Sequence, residues 1–189
     1  MKNSIKTILV LSALSGFSIA AKAQTGETQV KTGTGIVYSL GVESGVSTGD
    51  FNKSHRWNVG GSFQADIPVA ANLYITANAG YNNFFGKNNL TDISLIPVKG
   101  GIKYFPLEIL YVQAEAGAAF ATNKPDVGFE RTAAFIYAPQ VGVRLQLGQS
   151  NSYIDAGVRY EGSSRFTSAA EGSKVNFFGL RLAYALATK

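Results

Sequence analysis

Ten charged residues fall in the strand-like stretches of this 189-residue chain, and they share one parity. They are Glu43, Asp66, Lys99, Lys103, Glu115, Arg144, Asp155, Arg159, Glu161 and Arg181. The opposite parity carries Leu40, Phe63, Val98, Ile102, Val112, Val143, Ile154, Val158, Leu180 and Leu182. Strand side chains alternate between faces, so the chain must build a sheet with one ionic face and one charge-free face. A soluble sheet buries the apolar face. A membrane barrel turns that face to lipid and lines its lumen with the polar one.

The alternation resolves into eight segments: 35–45, 56–67, 73–83, 95–105, 110–121, 134–147, 153–162 and 175–186. Most have the length of a strand that crosses a bilayer at a tilt. In the second, Trp57, Val59, Gly61, Phe63, Ala65 and Ile67 form one row, and Asn58, Gly60, Ser62, Gln64 and Asp66 the other. Short connections at Val69–Asn72, Pro106–Ile109 and Gly148–Ser152 alternate with longer ones at 46–55, 84–94, 122–133 and 163–174. Short turns on one side and long loops on the other are the habit of up-and-down membrane barrels. The expected fold is all-β, an eight-stranded antiparallel up-and-down transmembrane barrel over residues 35–186.

Two further patterns agree. Each segment has a glycine on the charged parity: Gly41, Gly60, Gly80, Gly101, Gly117, Gly142, Gly157 and Gly179. Eight strands enclose an interior only just wide enough for side chains, so small residues must make room for long ones. Aromatics on the apolar parity gather at segment ends. Trp57, Tyr81, Phe120, Tyr137, Tyr160 and Phe178 lie toward the long loops, and Tyr38, Tyr104 and Tyr184 toward the short turns. Two such girdles mark two membrane–water interfaces. Pro97 and Pro139 fall inside strands, where each removes a ladder donor. A bulge or an unpaired position is expected at both.

The start of the chain reads as an export signal. Lys2 and Lys6 precede a short apolar run from Ile8 to Ala20, and Ala21-Lys22-Ala23 has the small-x-small cleavage pattern. The run is too short for a membrane-spanning helix. The expected arrangement is a signal peptide at 1–23, a periplasmic N-terminal segment at 24–34, the barrel, and a tail at 187–189. Taking Lys2, Lys6 and Lys22 from the 17 basic residues leaves 14 against 12 acidic, which excludes a basic stripe for nucleic acid. With no cysteine, disulfides and thiolate metal sites are also excluded.

The lumen charges are five acids and five bases, a balance that favours mutual pairing, because an unpaired buried charge costs several kcal/mol. Tyr74, Tyr111 and Tyr153 begin strands after short turns and, with Phe105, are expected to obstruct that mouth. A filled interior without a continuous channel follows. Catalysis has little to stand on: the sole histidine, His55, lies in the first long loop beside Ser54 and near Asp50, without a motif that fixes their geometry. It reads as a solvated loop histidine. No catalytic residue, cofactor or metal is expected. The long loops mix charges with Phe51, Phe85, Phe129 and Phe166, read as exposed and available for surface contacts.

The chain resembles the small eight-stranded outer-membrane β-barrel family of Gram-negative bacteria, similar to the OmpA transmembrane domain and OmpX-like proteins. Segments 96–105 and 138–143 are similar to versions common in Bacteroidota. The resemblance implies an assembly signal in the last strand, matched by Gly179, Leu182 and Tyr184, which the barrel-insertion machinery would read. Phe177 stands where the family has a polar residue, and the chain runs five residues past Tyr184. The expected partners are outer-membrane lipid, that machinery and a surface ligand at the loops, with the protein a monomer. The expected role is envelope structure or surface interaction. A minor porin, a soluble lipocalin-like binder and an outer-membrane lipid-modifying enzyme stand as alternatives.

Overall fold

A computed structural model describes residues 35–167 and 174–188. The expected signal peptide and N-terminal segment lie outside the described residues. Eight strands follow one another around a closed antiparallel barrel: β1 (Val37–Ser47), β2 (His55–Ala70), β3 (Leu73–Gly86), β4 (Ile93–Tyr104), β5 (Leu110–Ala121), β6 (Ala133–Gln146), β7 (Ser152–Ser163) and β8 (Asn176–Ala187). All eight expected segments are present, most with ends moved by one to three residues.

The seam is the pairing of β1 with β8, from Val37↔Ala187 to Ser47↔Phe177. Thr188 continues it by donating its amide to the Ile36 carbonyl at 2.9 Å. Ala187 and Thr188 therefore belong to the barrel closure rather than to a free tail. Closure leaves no unpaired sheet edge, which is what a strand needs where no water can satisfy its backbone.

The turn end is tight. Ala71 and Asn72 alone join β2 to β3, with Asn72 at φ 61°, a left-handed conformation asparagine tolerates. At the loop end, α1 (Phe51–Ser54) precedes β2 and α2 (Lys124–Val127) lies between β5 and β6. Among the described residues no helix is long and apolar enough to cross a membrane.

Pro97 and Pro139 are accommodated without a register shift, whereas Pro68, near the end of β2, lies at one. Pairing of β3 with β4 stops at Ala79↔Val98 and resumes in the same register at Asn82↔Leu95, which leaves Pro97 opposite Gly80 unpaired. On its other side Pro97 still pairs with Ala119. Pro139 likewise pairs with Ala114 while the β6–β7 ladder opens between Tyr137↔Gly162 and Gln140↔Arg159. Each missing donor costs one short gap in one ladder.

A true irregularity sits at the start of β2. His55 pairs with Gly86 and Asn58 with Phe84, so Arg56 and Trp57 together face the single residue Phe85. This is a β-bulge, which reverses side-chain parity locally. His55 turns inward and is buried, whereas Arg56 and Trp57 both point outward.

Candidate functional site

The ten parity-sharing charges all point into the barrel and all are buried. Cross-strand register explains how they fit. Glu43 lies opposite Gly60, Glu115 opposite Gly101, Lys99 opposite Gly117, Arg181 opposite Gly157 and Arg159 opposite Gly179. A Cβ at Gly101 would fall on the Ala114 carbonyl oxygen, and one at Gly117 on that of Val98. At both positions the neighbouring strand's backbone leaves no room for a side chain, so glycine alone fits beside the long charge.

Ion pairs join all ten into one network. Toward the turn end, Lys103 Nζ lies 2.9 Å from Asp66 and 3.2 Å from Asp155, and Arg144 bonds the same two carboxylates. Toward the loop end, Lys99 reaches Glu161 at 2.9 Å and Glu115 at 3.6 Å, while Arg159 is paired with Glu43 and lies 3.6 Å from Glu161. Arg181 links the halves, 3.6 Å from Glu43 and 3.7 Å from Asp155. Asp66 and Arg144 come from β2 and β6, diametrically opposite strands in the ring. Their contact crosses the middle of the barrel.

Neutral polar groups complete the network. Ser62 donates to Glu43 at 2.6 Å, Thr76 to Glu115 at 3.1 Å, Gln64 to Asp66 at 2.6 Å and Tyr111 to Asp155 at 2.7 Å. Ser39 and Ser62 accept from Arg181, each at 3.0 Å. Burial in this setting makes such partners obligatory, because an unsatisfied polar group costs about 1–3 kcal/mol. Ser39, Ser62 and Thr76 carry no charge signal in the sequence, but their inward parity was readable.

Apolar layers bracket the charges. At the turn end Tyr74, Phe105 and Tyr111 form a buried cluster, with Phe105 ring centroids 5.6 Å from each neighbour. Lys103 sits over the Tyr111 ring at 4.4 Å and Arg144 over Phe105 at 5.1 Å. Tyr153, expected beside them, is only half-buried and stands outside the cluster.

The loop end holds a larger plug that charge parity did not reveal. Phe84, Ile93, Leu95, Ile136 and Phe177 project inward from the rim of four strands, β3, β4, β6 and β8, and Phe51 and Phe166 fold in from the loops. Phe84 meets Phe51 and Phe177 edge-on at 5.4 and 5.2 Å. Phe177, at the position where the resemblance implies a polar residue, lies in this plug and is 1% exposed. The expectation of four exposed loop phenylalanines is therefore corrected. Phe51 and Phe166 are buried, Phe129 stacks on Phe166 at 4.6 Å, and Phe85 stacks on Trp57 at 4.3 Å.

His55 is also corrected: it is a buried rim residue, 5% exposed, stacked on Phe51 at 4.9 Å. Its Nε2 donates to the Thr91 carbonyl at 3.2 Å, and Ser54 Oγ lies 3.0 Å from Nδ1. Asp50 is committed elsewhere, 2.8 Å from Lys53, whose ammonium holds the carboxyl below its usual range. The ring is anchored by a backbone carbonyl where a catalytic triad would place an acid. Among the described residues no cluster could hold a metal ion. A cleft of about 610 Å³ opens here, lined in part by Phe51, Ser54, His55, Ile93, Val127 and Phe129.

The outer surface is the reverse of a soluble protein's. Leu40, Val42, Phe63, Ile102, Phe135, Leu180 and Leu182 are all about half exposed or more. The girdle residues point outward as well, with Tyr137, Tyr160 and Phe178 in ring contact around the loop end. Tyr38, Tyr104 and Tyr184 stand exposed toward the turn end. An apolar belt between two aromatic rings, around a charged interior, matches a bilayer.

The solved structures agree. The outer membrane protein OprG from Pseudomonas aeruginosa matches with a TM-score of 0.50 at 12% identity, over 82% of this chain and 96% of that one. The Yersinia pestis outer membrane protein Ail, in a phospholipid nanodisc, matches with a TM-score of 0.52 at 16% identity, over 81% and 99%. The fold is that of the small outer-membrane β-barrels. No family model matches the sequence, and no curated protein matches it. At such low identity the likeness speaks for architecture, and the role must be argued from the interior and the loops. Gly179, Leu182 and Tyr184, the expected assembly signal, lie together on β8, the glycine inward and the other two facing outward.

Proposed function

We propose that this chain is an integral outer-membrane barrel with a closed lumen, serving envelope structure or surface interaction through its four loops. The observation that carries the reading is the Asp66–Arg144 contact between diametrically opposite strands, with apolar layers above and below it. Ions crossing the barrel would have to break a net-neutral network and pass two apolar layers. Breaking one buried pair costs about 3–5 kcal/mol, so spontaneous opening at any one level is rare.

Export by a signal peptide cut before Gln24 and insertion guided by Gly179, Leu182 and Tyr184 belong to the same reading. Export would put the turn end in the periplasm and the long loops outside. No catalytic step is assigned, since His55 and Ser54 support the rim. The loop-end cleft and the charged lips around it, Asp50, Lys53 and Asp126, are the surface available to a ligand. Planar-bilayer recording of the refolded protein tests closure. Baseline current is expected; stable open channels would establish a minor porin instead. Membrane fractionation and an N-terminal sequence starting at Gln24 test location and processing.

A further inference from the structure

The bulge in β2 puts a cation where the strand pattern would not. By regular alternation Arg56 would share the inward parity of Asn58 and point at the Phe84–Phe177 plug, where an unpaired charge is strongly disfavoured. With two residues facing Phe85, the strand sends Arg56 outward instead. Its side chain is exposed and makes no hydrogen bond or ion pair with the described residues. Beside it Trp57 stacks on Phe85, ring centroids 4.3 Å apart and planes 24° from parallel. Trp57 belongs to the loop-end girdle, the level of lipid headgroups. Lys87, the neighbouring cation, is already bonded to the carbonyl of Asn52.

We propose that Arg56, turned outward by the bulge and next in the strand to Trp57, binds the phosphate of a lipid headgroup in the leaflet at the loop end. A guanidinium offers a planar fork that matches two phosphate oxygens, and the outward turn of the bulge places it beside the girdle residue Trp57. Bulges commonly re-aim a side chain in this way. The rest of the lipid-facing belt on the strands carries no charge, so this cation marks one sector of the rim. The inference rests on the membrane-spanning reading of the barrel.

The test uses the refolded full chain in detergent micelles. Trp57 is the sole tryptophan, so intrinsic fluorescence reports on the site itself. Titration with bisphosphorylated lipid A should give a saturable change in Trp57 emission. Arg56→Ala should weaken that binding at least tenfold, and Arg56→Lys should fall between, keeping charge without the fork. Inorganic phosphate at the same concentration should give no change. Equal affinity in Arg56→Ala would overturn the proposal, and so would an equal response to inorganic phosphate. The gel mobility of the unheated variant separates the two possible failures: a folded barrel without binding refutes the site, whereas a chain that never shifts refutes the barrel.

Discussion

Replacing Lys103 by methionine tests whether the buried network is a set of interdependent charges. Lys103 is fully buried, and its ammonium is shared between Asp66 at 2.9 Å and Asp155 at 3.2 Å. Methionine keeps an unbranched apolar stem and removes the ammonium, together with its contact over the Tyr111 ring. Two carboxylates then share Arg144, with Arg181 3.7 Å from Asp155. Removing one partner of a buried pair costs about 3–5 kcal/mol. Gln64 and Tyr111 still donate to the two acids, which places Lys103→Met near the lower end, about 3 kcal/mol. That is about two powers of ten in the folding equilibrium. Asp66→Asn should cost a similar amount, because it leaves the cation in excess. The double variant is neutral again and should cost no more than either single change, a coupling of about 3 kcal/mol. Reversible urea unfolding in phospholipid vesicles, read by Trp57 fluorescence, measures all three. A cost below about 1 kcal/mol for Lys103→Met, or strictly additive costs, would mean that water screens the lumen and that the interior is not closed.

Adjacent glycines on opposite faces of β4 give a second test. Gly101→Ala pushes a methyl onto the Ala114 carbonyl and should cost at least about 2 kcal/mol by overpacking, whereas Gly100→Ala, facing outward with its nearest neighbour at 3.6 Å, should change stability by less than about 0.5 kcal/mol. Urea midpoints compare the two, and equal effects would refute the packing argument. Phe166→Ala removes a fully buried ring from the loop-end plug and should cost about 3 kcal/mol, yet bilayer current should stay at baseline because the ion network and the Phe105 cluster remain. Pro97→Ala restores a donor opposite Gly80; amide hydrogen exchange should then reveal a protected proton at residue 97, with stability changed by less than about 1 kcal/mol.

The barrel was legible in the sequence because side-chain parity is a binary signal repeated in every strand, and a slip of one residue would put Lys103 or Arg144 into lipid. Inward glycines opposite long charges strengthen the same signal. The turn-end cluster was partly legible for the same reason: Tyr74, Phe105 and Tyr111 keep their parity next to tight turns, although Tyr153 did not follow them. The loop end was misread because composition stood in for position. Phe51 and Phe166 lie outside any strand, so no parity assigned them a side, and polar neighbours such as Asp50, Lys53 and Arg165 made them look solvated. Their burial depends on the vacancy that the inward rim residues leave in the mouth, a property of the closed ring.

The bulge at Arg56 shows the physical limit of parity reading. Alternation predicts a face only while two strands advance in step, and one extra residue reverses it. At the start of β2 the reversal exchanges the two polar residues. His55 moves in, where its ring can stack on Phe51 and donate to Thr91, and Arg56 moves out. An imidazole can be buried neutral with one hydrogen bond at each nitrogen, but a guanidinium cannot be buried against phenylalanines without a counter-charge. The apolar plug therefore selects which of the two residues may face it, and the strand register yields. The same loop-end plug is thus the reason Arg56 faces outward at the rim.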